Sequence, residues 1–154
     1  MRKGRTPTAR MKLRKPARQF ILDNSIVMAW YFDDETVQYA DDVHESLSES
    51  TAVVPSLWHL EVANALLVGE RRKRTTETNV TQFINVLAEF PIVTDELTHA
   101  KACADTLVLA RAHDLSAYDA AYLELARRRD LPLATLDKRL RKAARVAGIS
   151  LYIP

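Results

Sequence analysis

From Phe20 onward the chain alternates short apolar runs with longer stretches in which apolar residues recur at helical spacing. A run of four to eight Val, Ile and Leu residues reads as a buried strand, whereas ten or more residues with apolar positions three and four apart read as an amphipathic helix. On that pattern strands fall near 20–23, 51–54, 91–93, 132–135 and 150–153. Helices fall near 25–31, 36–48, 56–72, 77–89, 96–113, 117–129 and 138–147. Pro55 is placed to open a helix and Gly148 to close one. Strands alternating with helices predict an α/β fold, with a central parallel sheet of four to five strands covered by helices.

Charge divides the chain into unlike parts. Residues 1–19 hold eight Lys or Arg, two Pro and no acid, and they show no apolar period. They are expected to form a disordered basic extension, 1–19, ahead of a single domain, 20–154. As an arm it would meet nucleic acid electrostatically; as a plain extension it would do nothing. The rest of the chain carries fourteen basic and twenty acidic residues. Within it, residues 20–70 contain ten acids and no Lys or Arg, so the first half is a candidate cation site and the second a candidate anion surface. No apolar run is long enough to span a bilayer and no apolar segment of a secretory signal follows the basic start, which points to no membrane association and a cytoplasmic protein. The single cysteine, Cys103, excludes an internal disulfide and a Cys-rich zinc site, and its spacing suits a buried helical thiol.

Ligands of open parallel sheets collect beyond the carboxyl ends of the strands, so the strand tips are where chemistry is expected. Asp23 ends the first strand, and Asp137 follows "LPLAT" near the fourth. Asp119 sits in the first turn of "SAYDAAYLELA", and Glu61 lies within "PSLWHLEVANALLVGE". Taken singly, Asp23 and Asp137 are explained by helix capping, and Ser116 with Asp119 matches the S-x-x-D capping box. Glu61 shares a helix face with Leu57, Ala65 and Val68, where a bare charge is costly, and Asn64 stands one turn on. Four acids at compatible tips together fit a shared hard cation, Mg²⁺ or Mn²⁺. Such ions activate water and stabilise the leaving oxygen of a phosphodiester, so the chemistry supported is hydrolysis of a nucleic-acid backbone. Thr135 and Ser116 then become water-positioning or supporting hydroxyls, with local capping as the other reading of both. Lys138, Arg141, Lys142 and Arg145 form one face of the last helix, either a phosphate track or a solvated surface; the same two readings hold for "ERRKRTT" and "ARRRD".

The stretches "ILDNSIVMAWYFDDE", "VPSLWHLEVANAL" and "SAYDAAYLELARRRDLPLATLDKRLRKAA" resemble, in their order, the PIN-domain ribonucleases, most closely the VapC-type toxins of toxin-antitoxin pairs. The resemblance runs from about residue 20 to the end. It is carried by dispersed acids and not by one contiguous fingerprint. It implies a three-layer α/β/α sandwich and a metal-dependent endoribonuclease that acts on RNA, assembles as a homodimer and is silenced by a cognate VapB-type antitoxin. It further implies Asp23, Glu61, Asp119 and Asp137 as metal ligands, with Asn24 and Ser25 as the polar pair after the first strand. Asn24 stands where the family often has a small residue, and the basic extension lies outside the pattern.

Other readings compete less well. His59 and Glu61 begin the H-x-E of zinc deaminases, but the paired cysteines that signature needs are missing. His44, His99 and His113 show no metal spacing. Trp30, Tyr31, Phe32, Trp58, Tyr118 and Tyr122 sit in apolar periods and are assigned to core or subunit contacts. Three glycines and no phosphate-loop motif argue against a nucleotide cofactor. A phosphoryl-receiver domain would need a Lys late in the sheet, which this chain lacks. The remaining alternative is a catalytically silent α/β module that binds RNA or protein and uses its acids as caps.

Overall fold

A computed structural model describes residues 18–32 and 37–154. The expected basic extension therefore falls outside the described residues except at its last two positions, as does residue 36 of the expected second helix. Four parallel strands, β1 (Arg18–Leu22), β2 (Ser50–Pro55), β3 (Ile92–Asp95) and β4 (Leu133–Ala134), form one sheet in the order β3-β2-β1-β4. The chain steps outward from β1 to β3 and then returns to the far side of β1, so the order reverses between β1 and β4. Eight α-helices lie around the sheet among the described residues: α1 (Asn24–Tyr31), α2 (Gln38–Ser46), α3 (Trp58–Arg71), α4 (Glu77–Leu87), α5 (Thr98–Lys101), α6 (Leu107–His113), α7 (Ala117–Arg129) and α8 (Lys138–Val146). None of these is long and apolar enough to cross a membrane.

The strands read as continuous apolar runs because both sheet faces are covered. Phe20, Ile21, Leu22, Ala52, Val53, Val54, Leu133 and Ala134 are all sealed from solvent. Helices α2 and α3 both pack on α1, while α7 touches α5, α6, α8 and strands β1, β2 and β4. Helix α7 is accordingly buried from Ala120 through Ala126, which includes the charged Glu124. Gly148, at φ +74°, follows the last turn of α8 in the conformation that favours glycine, as expected for a closing residue.

Several boundaries differ from the pattern reading, each for a tertiary reason. Strand β1 begins at Arg18, two residues early, because Arg18 and Gln19 pair with Ser50 and Thr51, and the Arg18 guanidinium reaches the Ile153 carbonyl at 3.1 Å and covers the Tyr152 ring. Pro55 closes β2 and does not open α3; it pairs only with Asp95 of β3, beyond the end of the β1 ladder, where a missing N–H is tolerated. The expected fifth strand is a single bridge between Leu133 and Leu151, since its neighbour β4 is itself only two residues long. Tyr152 nevertheless anchors this segment by stacking on Phe20 at 3.9 Å. The expected helix over 96–113 is interrupted by a π-helical turn, Ala102–Thr106, between α5 and α6. The turn's extra residue re-aims the helix so that Thr106, Leu109 and Ala110 are buried. It also carries Cys103 outward: the thiol expected to be buried is exposed. Tyr118, assigned to a core or contact role, is 67 % exposed.

A buried ion cluster joins the sheet to α7. Arg128 donates to both oxygens of Asp95, at 3.1 and 2.7 Å, and from Nε to Glu124 Oε1 at 2.8 Å. Burial alone would raise the Asp95 carboxyl, but hydrogen bonds from Arg128 and the Leu97 N–H outweigh it and hold the group below its ordinary range. Arg129 stands 3.8 Å from the same carboxylate, so two of the three arginines in "ARRRD" serve the fold. Removing Arg128 would leave buried Glu124 without a counter-ion and Asp95 with only the more distant Arg129. Arg128→Ala is expected to cost about 3 to 5 kcal/mol in urea unfolding; a loss below about 1 kcal/mol would show that the cluster is structurally idle.

Candidate functional site

The sheet order reverses between β1 and β4, and the crevice of a parallel sheet opens at the carboxyl ends of such a pair. Asp23 is the first residue past β1, and Thr135 the first past β4. Because β1 lies between β2 and β4, its tip is interior, and Asp23 is only 6 % exposed. Two hydroxyls serve its Oδ2: Ser25 Oγ donates at 2.5 Å and Thr135 Oγ1 at 2.6 Å. The hydroxyls are themselves engaged, since Leu136 N–H donates to Ser25 Oγ and Asp137 N–H to Thr135 Oγ1. Asp23 holds the N-cap position of α1 but makes no side-chain cap bond, so capping does not account for it.

Two further carboxylates share this electrostatic environment. Asp119 lies in the first turn of α7, where Ser116 Oγ accepts its N–H at 3.0 Å and donates to its Oδ2 at 2.8 Å. Glu61 projects from the flank of α3, half-buried, and the Tyr122 hydroxyl donates to its Oε2. Burial raises the Glu61 carboxyl, the Tyr122 bond pulls it back in part, and the charges of Asp23 and Asp119 carry the rise to about 7. Asp23 is likewise raised, first by burial and, against its hydroxyl partners, by the charge of Asp119. Among the described residues none of the three is ion-paired with a Lys, Arg or His.

Asp137 behaves differently. Its Oδ1 accepts the Leu140 N–H at 2.7 Å as the N-cap of α8, and its side chain is exposed, so only its backbone touches the group around Asp23. Asn64, expected beside Glu61, is exposed and takes no hydrogen bond among the described residues; Tyr122 holds that acid instead. Asn24 follows Asp23 with its Oδ1 buried and without a partner. Lys138, Arg141, Lys142 and Arg145 lie along one solvent-facing stripe of α8, opposite the buried Leu140, Ala143 and Ala144. Arg141 and Arg145 also line an open groove of about 800 Å³ with Tyr39, Asp42 and the chain's last residues.

The donors fit a hard divalent cation in kind: three carboxylates with no ion-paired cationic side chain among the described residues. Among the described residues no three His, Cys, Asp or Glu side chains form a ready-made metal cage. The residue the pattern reading missed is Tyr122, placed there with the core aromatics. Its spacing of three from Asp119 on one helix was the available signal.

Comparisons with known proteins bear on the family and the fold. Ribonuclease VapC3 of Pyrobaculum aerophilum is 30 % identical over 122 residues, covering 79 % of this chain and 92 % of that protein. A solved Pyrobaculum aerophilum structure superposes with a TM-score of 0.60 at 22 % identity, over 92 % of this chain and 99 % of that one. VapBC2 from Rickettsia felis, solved bound to a DNA fragment from its promoter, gives 0.59 at 14 % identity, over 87 % and 97 %. The PIN-domain family model matches residues 20–146. Sheet order, the carboxylates at the β1–β4 crevice and this match lead to one conclusion: the chain belongs to the PIN-domain family.

Proposed function

We propose that this protein is a metal-dependent endoribonuclease that hydrolyses RNA phosphodiester bonds, as the toxin of a VapBC-type toxin-antitoxin pair. The observation that carries the reading is that the charge of Asp119 bears on both Asp23 and Glu61, two buried or half-buried acids that are raised and have no ion-pair partner among the described residues. The relationship to the VapC3 ribonuclease and the fold shared with VapBC2 of Rickettsia felis support the activity and the antitoxin partner. A homodimer follows from the same family resemblance.

Asp23, Glu61 and Asp119 would hold Mg²⁺ or Mn²⁺, with Asp137 contributing through Oδ2, the oxygen its cap leaves free. When bound, the ion would lower the pKa of the attacking water and balance charge on the phosphate. Ser25 and Thr135 hold the Asp23 carboxylate in one orientation, and Ser116 holds Asp119. Asn24 supplies a further oxygen at the crevice. Lys138, Arg141, Lys142 and Arg145 bind the RNA backbone along α8, where positive charge offsets the phosphates flanking the cut.

Three measurements test this reading. Purified protein with Mn²⁺ or Mg²⁺ is expected to cut total RNA into discrete fragments, with none formed in EDTA and with Asp119→Asn slower by about 10²- to 10³-fold; undiminished cutting by Asp119→Asn removes it from the catalytic set. Folded protein that leaves RNA intact and binds no Mn²⁺ would instead be a silent binding module. The second measurement is pH dependence without metal. A carboxyl whose folded pKa is raised binds more protons folded than unfolded, so its stabilising contribution is present at low pH and lost as pH rises. In EDTA, thermal stability should fall from about pH 4.5 to about pH 7, the window set by Glu61, and Glu61→Gln should flatten that slope. An unchanged slope in Glu61→Gln would assign the titration elsewhere. Thirdly, Arg141→Ala/Arg145→Ala should weaken RNA binding uniformly across sequences and reduce the slope of log affinity against log salt by about 1 to 2; an unaltered slope would remove the α8 track.

A further inference from the structure

Each carboxylate at the crevice has its own hydroxyl support. Ser25 and Thr135 serve Asp23, Ser116 serves Asp119, and for Glu61 the support comes from Tyr122, whose ring is wholly buried and whose oxygen reaches the site. The phenol donates to Glu61 Oε2. Two elements that share no local sequence, α3 and α7, therefore meet at one hydroxyl.

We infer that Tyr122 is a positioning residue for metal capture: its hydroxyl pins Oε2 of Glu61 and leaves Oε1 as the oxygen offered to a divalent cation. The inference rests on the proposed metal-dependent activity. Glu61 needs such a partner more than its neighbours do. Asp23 is a short side chain at a strand tip and Asp119 is closed into its own helix cap, whereas Glu61 projects from α3 on a longer side chain with more rotamers to lose. A phenol suits the task because it is a neutral donor on a rigid ring. An Arg or Lys in its place would orient the carboxylate equally well but would cancel the charge a cation needs. Burial, with the charges of Asp23 and Glu61 added, holds the phenol far above its ordinary range, so it stays a donor throughout. Tyr122 also shares a face of α7 with Asp119, three residues away, so α7 supplies one ligand and the support of another.

The test is calorimetric titration of Mn²⁺ into wild type, Tyr122→Phe, Glu61→Gln and the double variant, with circular dichroism of each. Phenylalanine keeps the buried ring and removes only the hydroxyl. Loss of a partner that orients a ligand is expected to weaken Mn²⁺ binding by about 10- to 100-fold, and the penalty should vanish when Glu61 is already Gln. Wild-type affinity in Tyr122→Phe, or the same penalty with Gln at position 61, overturns the inference while leaving the metal site standing. A wild type that binds no Mn²⁺ overturns both. A second readout needs no change at Tyr122. Mn²⁺ titrated into wild type should produce a tyrosine ultraviolet difference signal that saturates with the calorimetric isotherm and is missing from Glu61→Gln. A flat tyrosine spectrum in a wild type that binds the ion rejects the role.

Discussion

A buried carboxylate with hydroxyl partners and no counter-ion is the constraint around which this molecule is organised. Asp23 cannot escape to solvent, because β1 is flanked on both sides and its tip opens into the interior. Hydrogen bonds from Ser25 and Thr135 offset part of the cost of desolvation, yet the carboxyl is still raised. Folding alone would be served better by an apolar residue at this point. Placing Glu61 and Asp119 within range of its field compounds the cost, and under the proposed activity a bound cation would offset it.

The cluster around Arg128 is the internal control. There the same protein buries two acids, Asp95 and Glu124, and satisfies them with a single guanidinium that engages both. One result is opposite displacement of two buried aspartates: Asp95 is held below its ordinary range and Asp23 above. The chain thus has the means to neutralise a buried aspartate, and no described Lys, Arg or His does so at the β1–β4 crevice. That contrast separates a structural ion pair from a candidate site more sharply than burial does.

Capping does not exhaust what these acids can do. Asp119 accepts from the Ser116 hydroxyl that caps its own helix, and Asp137 caps α8 through one oxygen while the other stays free. A cap fixes a carboxylate at a helix N-terminus, where the backbone already favours negative charge, and so places a ligand at little extra cost. The hydroxyls of Ser25, Ser116, Thr135 and Tyr122 are the common device: neutral donors that orient acids without cancelling them.

Much of this was legible in the residues. Alternating periods determined the α/β class, since side-chain repeat and turn chemistry act over a few residues, and the S-x-x-D box and Gly148 marked their helix ends for the same reason. The order of Asp23, Glu61, Asp119 and Asp137 along that layout was equally legible, and so was the lack of Lys and Arg between residues 20 and 70. Tertiary structure alone decided what those acids meet. Thr135 reaches Asp23 across 112 residues, Tyr122 reaches Glu61 across 61, and Arg128 reaches Asp95 across 33. It likewise set the early start of β1, the π-helical turn and the outward Cys103, none of which has a local signature. Local patterns specify which element a residue joins and which face it takes; which charge is balanced depends on distances that exist only once the elements have packed.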